Sequence, residues 1–226
     1  MTWFTKFLSS SLGKKILMAL TGLFLILFLA VHLIGNLQLL KDDGGEAFNV
    51  YAEFMSTNPL IQTVSKGNFA FIVIHIVWAL ILTIQNRKAR GTVGYAQTSG
   101  KSSIWASRNM GILGTAILIF LVIHLKHFWA EMHFGSVPVV NIDGKEVRDL
   151  AGIVDYWFHV NWYVAIYVVA MAALGFHLWH GFASAFQTLG LNHLKYNAVI
   201  NFVGKTFSVV VPALFAWIPI ATFFDI

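Results

Sequence analysis

The chain has 226 residues, 58% of them hydrophobic and only 11% charged, with a formal net charge of +5 and a mean hydropathy of +0.71. That balance excludes an ordinary water-soluble domain, in which roughly a quarter of residues are charged, and places the chain among integral membrane proteins. Cysteine is absent, so this chain builds no iron–sulfur cluster and no thiolate-held metal centre of its own.

The first fifteen residues put Trp3, Phe4, Phe7 and Leu8 beside Lys6, which predicts a short amphipathic segment lying in the membrane interface. They show no small-residue cleavage pattern, so a cleaved signal peptide is not expected. Five apolar stretches follow, near 15–40, 65–86, 104–130, 158–187 and 198–224. Each reaches the roughly 20 residues that a helix needs to cross a bilayer. The alternating pattern of an outer-membrane barrel is missing, so the spans are expected to be helices. The expected fold is therefore a single all-α transmembrane domain over 1–226, with five spanning helices, four of them forming a bundle.

Lys and Arg decide the expected orientation. The N-terminal segment has Lys6, Lys14 and Lys15; the loop after the second span has Arg87, Lys88, Arg90, Lys101 and Arg108; the last loop on that side has Lys195 and Lys205. The opposite loops mix signs, with Lys41, Asp42, Asp43, Glu46 and Glu53 in one, and Glu131, Asp143, Lys145, Glu146, Arg148, Asp149 and Asp155 in the other. A cytoplasmic N-terminus and an outer C-terminus follow. Because the cations are scattered along membrane edges, nucleic acid is not an expected partner; a soluble protein docking on the basic face is compatible with them.

Four histidines, His32, His75, His124 and His177, fall one each within the first four spans. An ionisable group at membrane depth is expensive, usually faces the bundle interior, and marks a functional site. The first and third spans share a pattern, Gly22 to His32 and Gly114 to His124, each ten residues apart. The second and fourth share another, His75 to Gln85 and His177 to Gln187, also ten apart. A helix rises 1.5 Å per residue, which puts His32 and His124 roughly 25 Å from the basic edge and His75 and His177 roughly 15 Å from it. Lys66, nine residues before His75, fits that depth only if the second helix begins in the outer loop after Pro59.

Two depth-matched pairs of neutral imidazoles match the axial ligands of two haems, His32 with His124 in an outer layer and His75 with His177 in an inner one. Cofactor sites of this kind are built from inward side chains of a helical bundle, and an iron with both axial positions filled suits electron transfer. Gly22, Gly114, Gly175 and Gly181 can admit a flat macrocycle or let helices approach. The pairs His124/His127 and His177/His180, three residues apart, offer a competing zinc or di-iron reading. Such centres usually need carboxylates, and none lies within the core of a span. His127 and His180 then bond a haem propionate or a carbonyl, His133 and His193 read as loop residues, and His159 as interfacial.

With these residues in place, the chain resembles the cytochrome b membrane anchor of succinate:quinone oxidoreductases in its five-helix, two-haem form, over nearly its whole length. The resemblance rests on His32-Leu-Ile-Gly-Asn36, Gly45-Glu-Ala-Phe-Asn49, Ile74-His75, Ile123-His124 and Phe176-His177 with Gly181 following. It implies two b-type haems on the four histidines as haem-iron ligands, first helix with third and second with fourth. It also implies a bacterial cytoplasmic membrane, a flavoprotein subunit and an iron–sulfur subunit as cytoplasmic partners, and menaquinone as the quinone. Succinate or fumarate chemistry would belong to the flavoprotein. Some members place a glutamate two residues before the fourth-helix ligand; here that position is Gly175. An acid linked with quinone chemistry in some relatives is replaced by Ser56, with Glu53 one turn earlier.

A quinone site needs a proton donor or acceptor beside the reacting oxygens. Glu53, Lys126, His127 and Glu131, near the outer ends of the spans, are the candidates. The alternatives left open by the sequence are a di-haem cytochrome of a hydrogenase or formate dehydrogenase, and an anchor without haem.

Overall fold

The computed structural model of the protein describes residues 2–90 and 105–226. Lys101 and position 104, where the third expected span opens, lie outside the described residues. A short helix α1 (Trp3–Ser9) precedes the first long one, α2 (Ser11–Asn36). Ser10 separates them because its hydroxyl accepts from the Gly13 N–H, an N-cap that starts a new helix. A 3₁₀ turn, Leu37–Leu40, leads to α3 (Glu46–Thr57) and to α4 (Pro59–Arg90). Proline suits the first position of a helix, where no N–H bond is lost, so α4 begins well before the apolar run and carries Lys66 on its protruding part.

After α5 (Trp105–Arg108), the third crossing is composite: α6 (Met110–His124), a π-helical stretch at Leu125–Ala130, and α7 (Glu131–Phe134). A hairpin follows, β1 (Val139–Ile142) antiparallel to β2 (Lys145–Arg148). Its turn residues Asp143 and Gly144 both have positive φ, 51° and 78°, as a type I′ Asp-Gly turn requires. Helix α8 (Leu150–Phe158) is capped by Asp149, whose carboxylate accepts from the Gly152 N–H. The last two crossings are α9 (Asn161–Thr188) and α10 (Leu194–Phe224).

Among the described residues, five helices are long and apolar enough to cross a membrane, in α2, α4, the α6–α7 composite, α9 and α10. The protein is an all-α multi-pass membrane protein. Large side chains such as Leu27, Val169 and Phe202 stay exposed, a surface that suits lipid and would be an aggregation liability in water. One end of the bundle gathers the basic helix termini; the other is capped by α3, the hairpin and α8. The main buried cluster lies at this loop end and includes Leu33, Phe48, Phe128, Phe158, Tyr163 and Tyr167, with a smaller cluster of Ile26, Leu178 and Phe182.

Side-chain bonds between distant segments hold the loop end together. Asn49, 2% exposed, donates to the Asp149 carboxylate at 2.8 Å and accepts from the Ala151 N–H at 2.8 Å, joining α3 to the start of α8. Gly45 has φ +87°, and a Cβ there would strike the Ala151 side chain. Gly35 is covered by the Tyr51 ring, and Asn36 donates to the His32 carbonyl at 2.7 Å. The glycines and asparagines of the two loop-end motifs thus have packing roles.

Candidate functional site

The fold brings the four histidines together in two pairs. His32 of α2 faces His124 of α6, ring centroids 5.8 Å apart and planes at 89°. His75 of α4 faces His177 of α9, 6.4 Å apart and at 63°. An imidazole nitrogen binds a metal ion at about 2.0 Å, so one ion between two rings keeps their centres roughly 6 Å apart. All four rings are half-buried. Phe28 stacks on His32, and Phe120 and Phe128 flank His124.

Hydrogen bonds constrain the rings to different degrees. Thr21 gives its hydroxyl proton to the Leu17 carbonyl at 2.8 Å, so its oxygen can only accept from His75 Nδ1, 3.1 Å away. His75 is thereby held with its proton on Nδ1 and the lone pair on Nε2, the tautomer that a metal ligand needs. His124 Nδ1 lies 2.9 Å from the Tyr167 hydroxyl. His32 Nδ1 lies 3.4 Å from Asn36 Nδ2, an amide donor from which it can only accept, so this long contact must give way if His32 is to offer Nε2. His177 Nδ1 is buried and, in this structure, has no hydrogen-bond partner.

Glycines flank the second pair in a crossed arrangement. A Cβ on Gly22 would lie 3.4 Å from His75 Cε1, and one on Gly114 would lie 3.9 Å from His177 Cε1. The ten-residue Gly-to-His spacing in α2 and α6 therefore serves two layers: each glycine borders a histidine of one pair while the histidine ten residues on joins the other. Gly175 has a different role, because a Cβ there would lie 3.0 Å from the Ser208 carbonyl of α10. Any larger residue there requires α10 to give by a few tenths of an ångström. Gly181 has open space around it.

Of the loop-end candidates, His127 and Glu131 meet in one cavity of about 520 Å³, also lined by Asp149, Tyr156 and Trp157. The His127 ring lies over Trp157 with centroids 4.0 Å apart, and its Nδ1 lies 3.2 Å from the Tyr163 hydroxyl. Glu53 is placed apart from them, paired with Arg148 at 3.4 Å. That guanidinium also donates to Ser56 Oγ and the Met132 carbonyl. Lys126 is exposed and does not line the cavity.

Sequence reasoning missed Thr21, Tyr163, Tyr167 and Asn68. Tyr163 and Tyr167 are one turn apart on α9, as His124 and His127 are nearly one turn apart on the facing crossing, and that matched spacing was the available signal. Asn68 is 7% exposed with its Oδ1 unpartnered. It lies two turns before His75 on the same helical face, roughly 10 Å nearer the loop end.

Among the described residues, no three His, Cys, Asp or Glu side chains gather as one metal-binding set. The histidines come as twos, so each pair can offer two nitrogens to an iron whose remaining ligands come with a cofactor. Comparison with models of known protein families, with curated proteins and with solved structures finds no match.

Proposed function

We propose that the protein is the di-haem cytochrome b membrane anchor of a succinate:quinone oxidoreductase, linking a cysteine-bearing iron–sulfur subunit to menaquinone in a bacterial cytoplasmic membrane. The observation that supports this most is the pair of facing imidazole pairs, one above the other in the bundle. His32 and His124 would hold the outer haem iron, His75 and His177 the inner. The donor chemistry fits: four imidazoles in facing twos, a glycine beside each inner ring, and Thr21 fixing the tautomer of His75. The basic end would face the cytoplasm, with the N-terminus there, and would receive the iron–sulfur and flavoprotein subunits.

Haem, when bound, supplies reversible one-electron chemistry. The chain's contribution is ligation, orientation and proton handling. Two imidazoles apiece, from His32 with His124 and from His75 with His177, would hold each iron in a way that favours electron transfer over oxygen binding. His127 and Glu131, sharing the loop-end cavity, are the groups to hold or release protons for a quinone. The choice of this family over other di-haem cytochromes rests on the motifs around His32 and Asn49. The test is haem quantitation by pyridine haemochrome on the purified chain, with a reduced-minus-oxidised spectrum. Two b-type haems per polypeptide are expected; one or none rejects the proposal.

A further inference from the structure

The loop-end histidine pair differs from the other in where its hydrogen bonds lead. His75 ends in a closed loop, since Thr21 passes its proton to the Leu17 carbonyl of its own helix. His124 instead opens a chain of side chains. Its Nδ1 lies 2.9 Å from the Tyr167 hydroxyl, Tyr167 lies 3.3 Å from the Tyr163 hydroxyl, and Tyr163 lies 3.2 Å from His127 Nδ1. Tyr163 is fully buried and Tyr167 is 6% exposed, so water does not substitute for either partner. The chain ends at His127, which lines the loop-end cavity with Glu131.

Proton counting leaves one arrangement compatible with His124 as a ligand. If Nε2 offers its lone pair, Nδ1 bears the proton and donates to Tyr167. The single Tyr167 proton then goes to Tyr163, and the single Tyr163 proton goes to His127 Nδ1. Every hydroxyl gives one bond and accepts one, and the proton of neutral His127 sits on Nε2. Reversing the chain protonates His124 on Nε2 and removes its ligand.

We propose that Tyr167 and Tyr163 are positioning residues that lock His124 in its ligating tautomer and couple the electronic state of the outer histidine pair to His127 in the cavity. The inference rests on the reading of His124 as a haem ligand. An acceptor on the far nitrogen of a ligating histidine raises its basicity. A more basic ligand favours the ferric iron, so losing the acceptor raises the reduction potential. Tyr163 acts at one remove: by accepting the Tyr167 hydrogen bond it makes the Tyr167 oxygen a better acceptor, a cooperative gain of about 10–30% per bond.

The test is a redox titration of both haems in the purified holoprotein, with ferric electron paramagnetic resonance. Tyr167→Phe is expected to shift the outer haem to higher potential and alter its resonance, leaving the inner haem unchanged. Tyr163→Phe is expected to give a smaller shift of the same sign, although it does not touch His124. Thr21→Val, the control, is expected to affect only the inner haem. Two haems with wild-type potentials in both tyrosine variants overturn the proposal while the functional reading stands. A wild-type chain that binds no haem overturns both. If Tyr167→Phe fails to fold, Tyr163→Phe decides alone, and an unshifted outer haem overturns the coupling.

Discussion

A hydroxyl that has given away its proton can only accept, and this makes Thr21 the firmest anchor of the inner site. Thr21→Val keeps the shape of the side chain and removes the acceptor of His75 Nδ1. Loss of such a partner typically costs 10–100-fold in metal affinity. Haem titration of this variant is expected to show the inner haem binding about 10-fold or more weaker, with the outer one unchanged; equal affinities would exclude the role. Asn49 acts on stability instead. Asn49→Ala strands the Ala151 N–H and removes one of the two donors to Asp149 Oδ1, and one unsatisfied buried group costs about 1–3 kcal/mol. A fall of that size in a denaturation midpoint, with haem content intact, is the expected result. The four membrane histidines are legible in the sequence because imidazoles stand out in apolar runs. Thr21, Tyr163 and Tyr167 do not, because hydroxyls are common in such helices. Their partners lie 54, 36 and 43 residues away, and only the fold brings them together.

At the scale of elements, each histidine pair joins two helices, α2 with α6 and α4 with α9. His32→Ala and His124→Ala are therefore expected to lose the same haem, and His75→Ala and His177→Ala the other. Redox titrations of the four variants should fall into two classes; four unlike spectra, or a wild-type spectrum in any of them, would contradict the pairing. The five long helices were readable from length and hydropathy, and the early start of α4 from the depth required of His75. The hairpin, α3 and α8 are less legible, because their apolar runs are short and broken by charges, although Asp143-Gly144 is a hairpin signal. The end of α8 also has a pH-sensitive tie to the end of α10. The Asp155 carbonyl, 2.9 Å from His159 Nδ1, with the Asp155 and Asp225 carboxylates, raises the His159 pKa above its ordinary 6.5. The charged form then stabilises the fold fully below pH 6.5, and that contribution is lost as pH rises through the raised folded value. At so exposed a site it is worth no more than about 1 kcal/mol. Hydrogen exchange at Phe224 and Asp225 is expected to quicken as pH climbs through that range, beyond the intrinsic pH effect; His159→Gln should abolish the excess.

The molecule as a whole is asymmetric along the bundle axis. The loop end has α3, the hairpin and α8 locked by Glu53, Arg148, Asn49 and Asp149, and holds the larger buried cluster. The described residues of the basic end offer helix termini with Lys14, Lys15, Arg87, Lys88 and Lys195. Under the proposed function, the soluble subunits need the basic end and the quinone needs proton-exchanging groups near a haem, which His127 and Glu131 supply beside the His32/His124 pair. Glu53 and His127, alike as sequence candidates, then diverge. Glu53→Gln weakens the pairing with Arg148 and is expected to lower stability with little change in quinone turnover once folded. His127→Ala and Glu131→Gln are expected to slow quinone turnover about 100-fold or more, the lower end of the usual effect of removing a proton-transfer group, while electrons from the partner still reduce both haems. Stopped-flow reduction of the haems followed by quinone turnover separates the two steps. A quinone or inhibitor bound at the basic end, beside Trp105, Arg108 and Gln187, would place the reaction at the wrong end of the bundle for this mechanism.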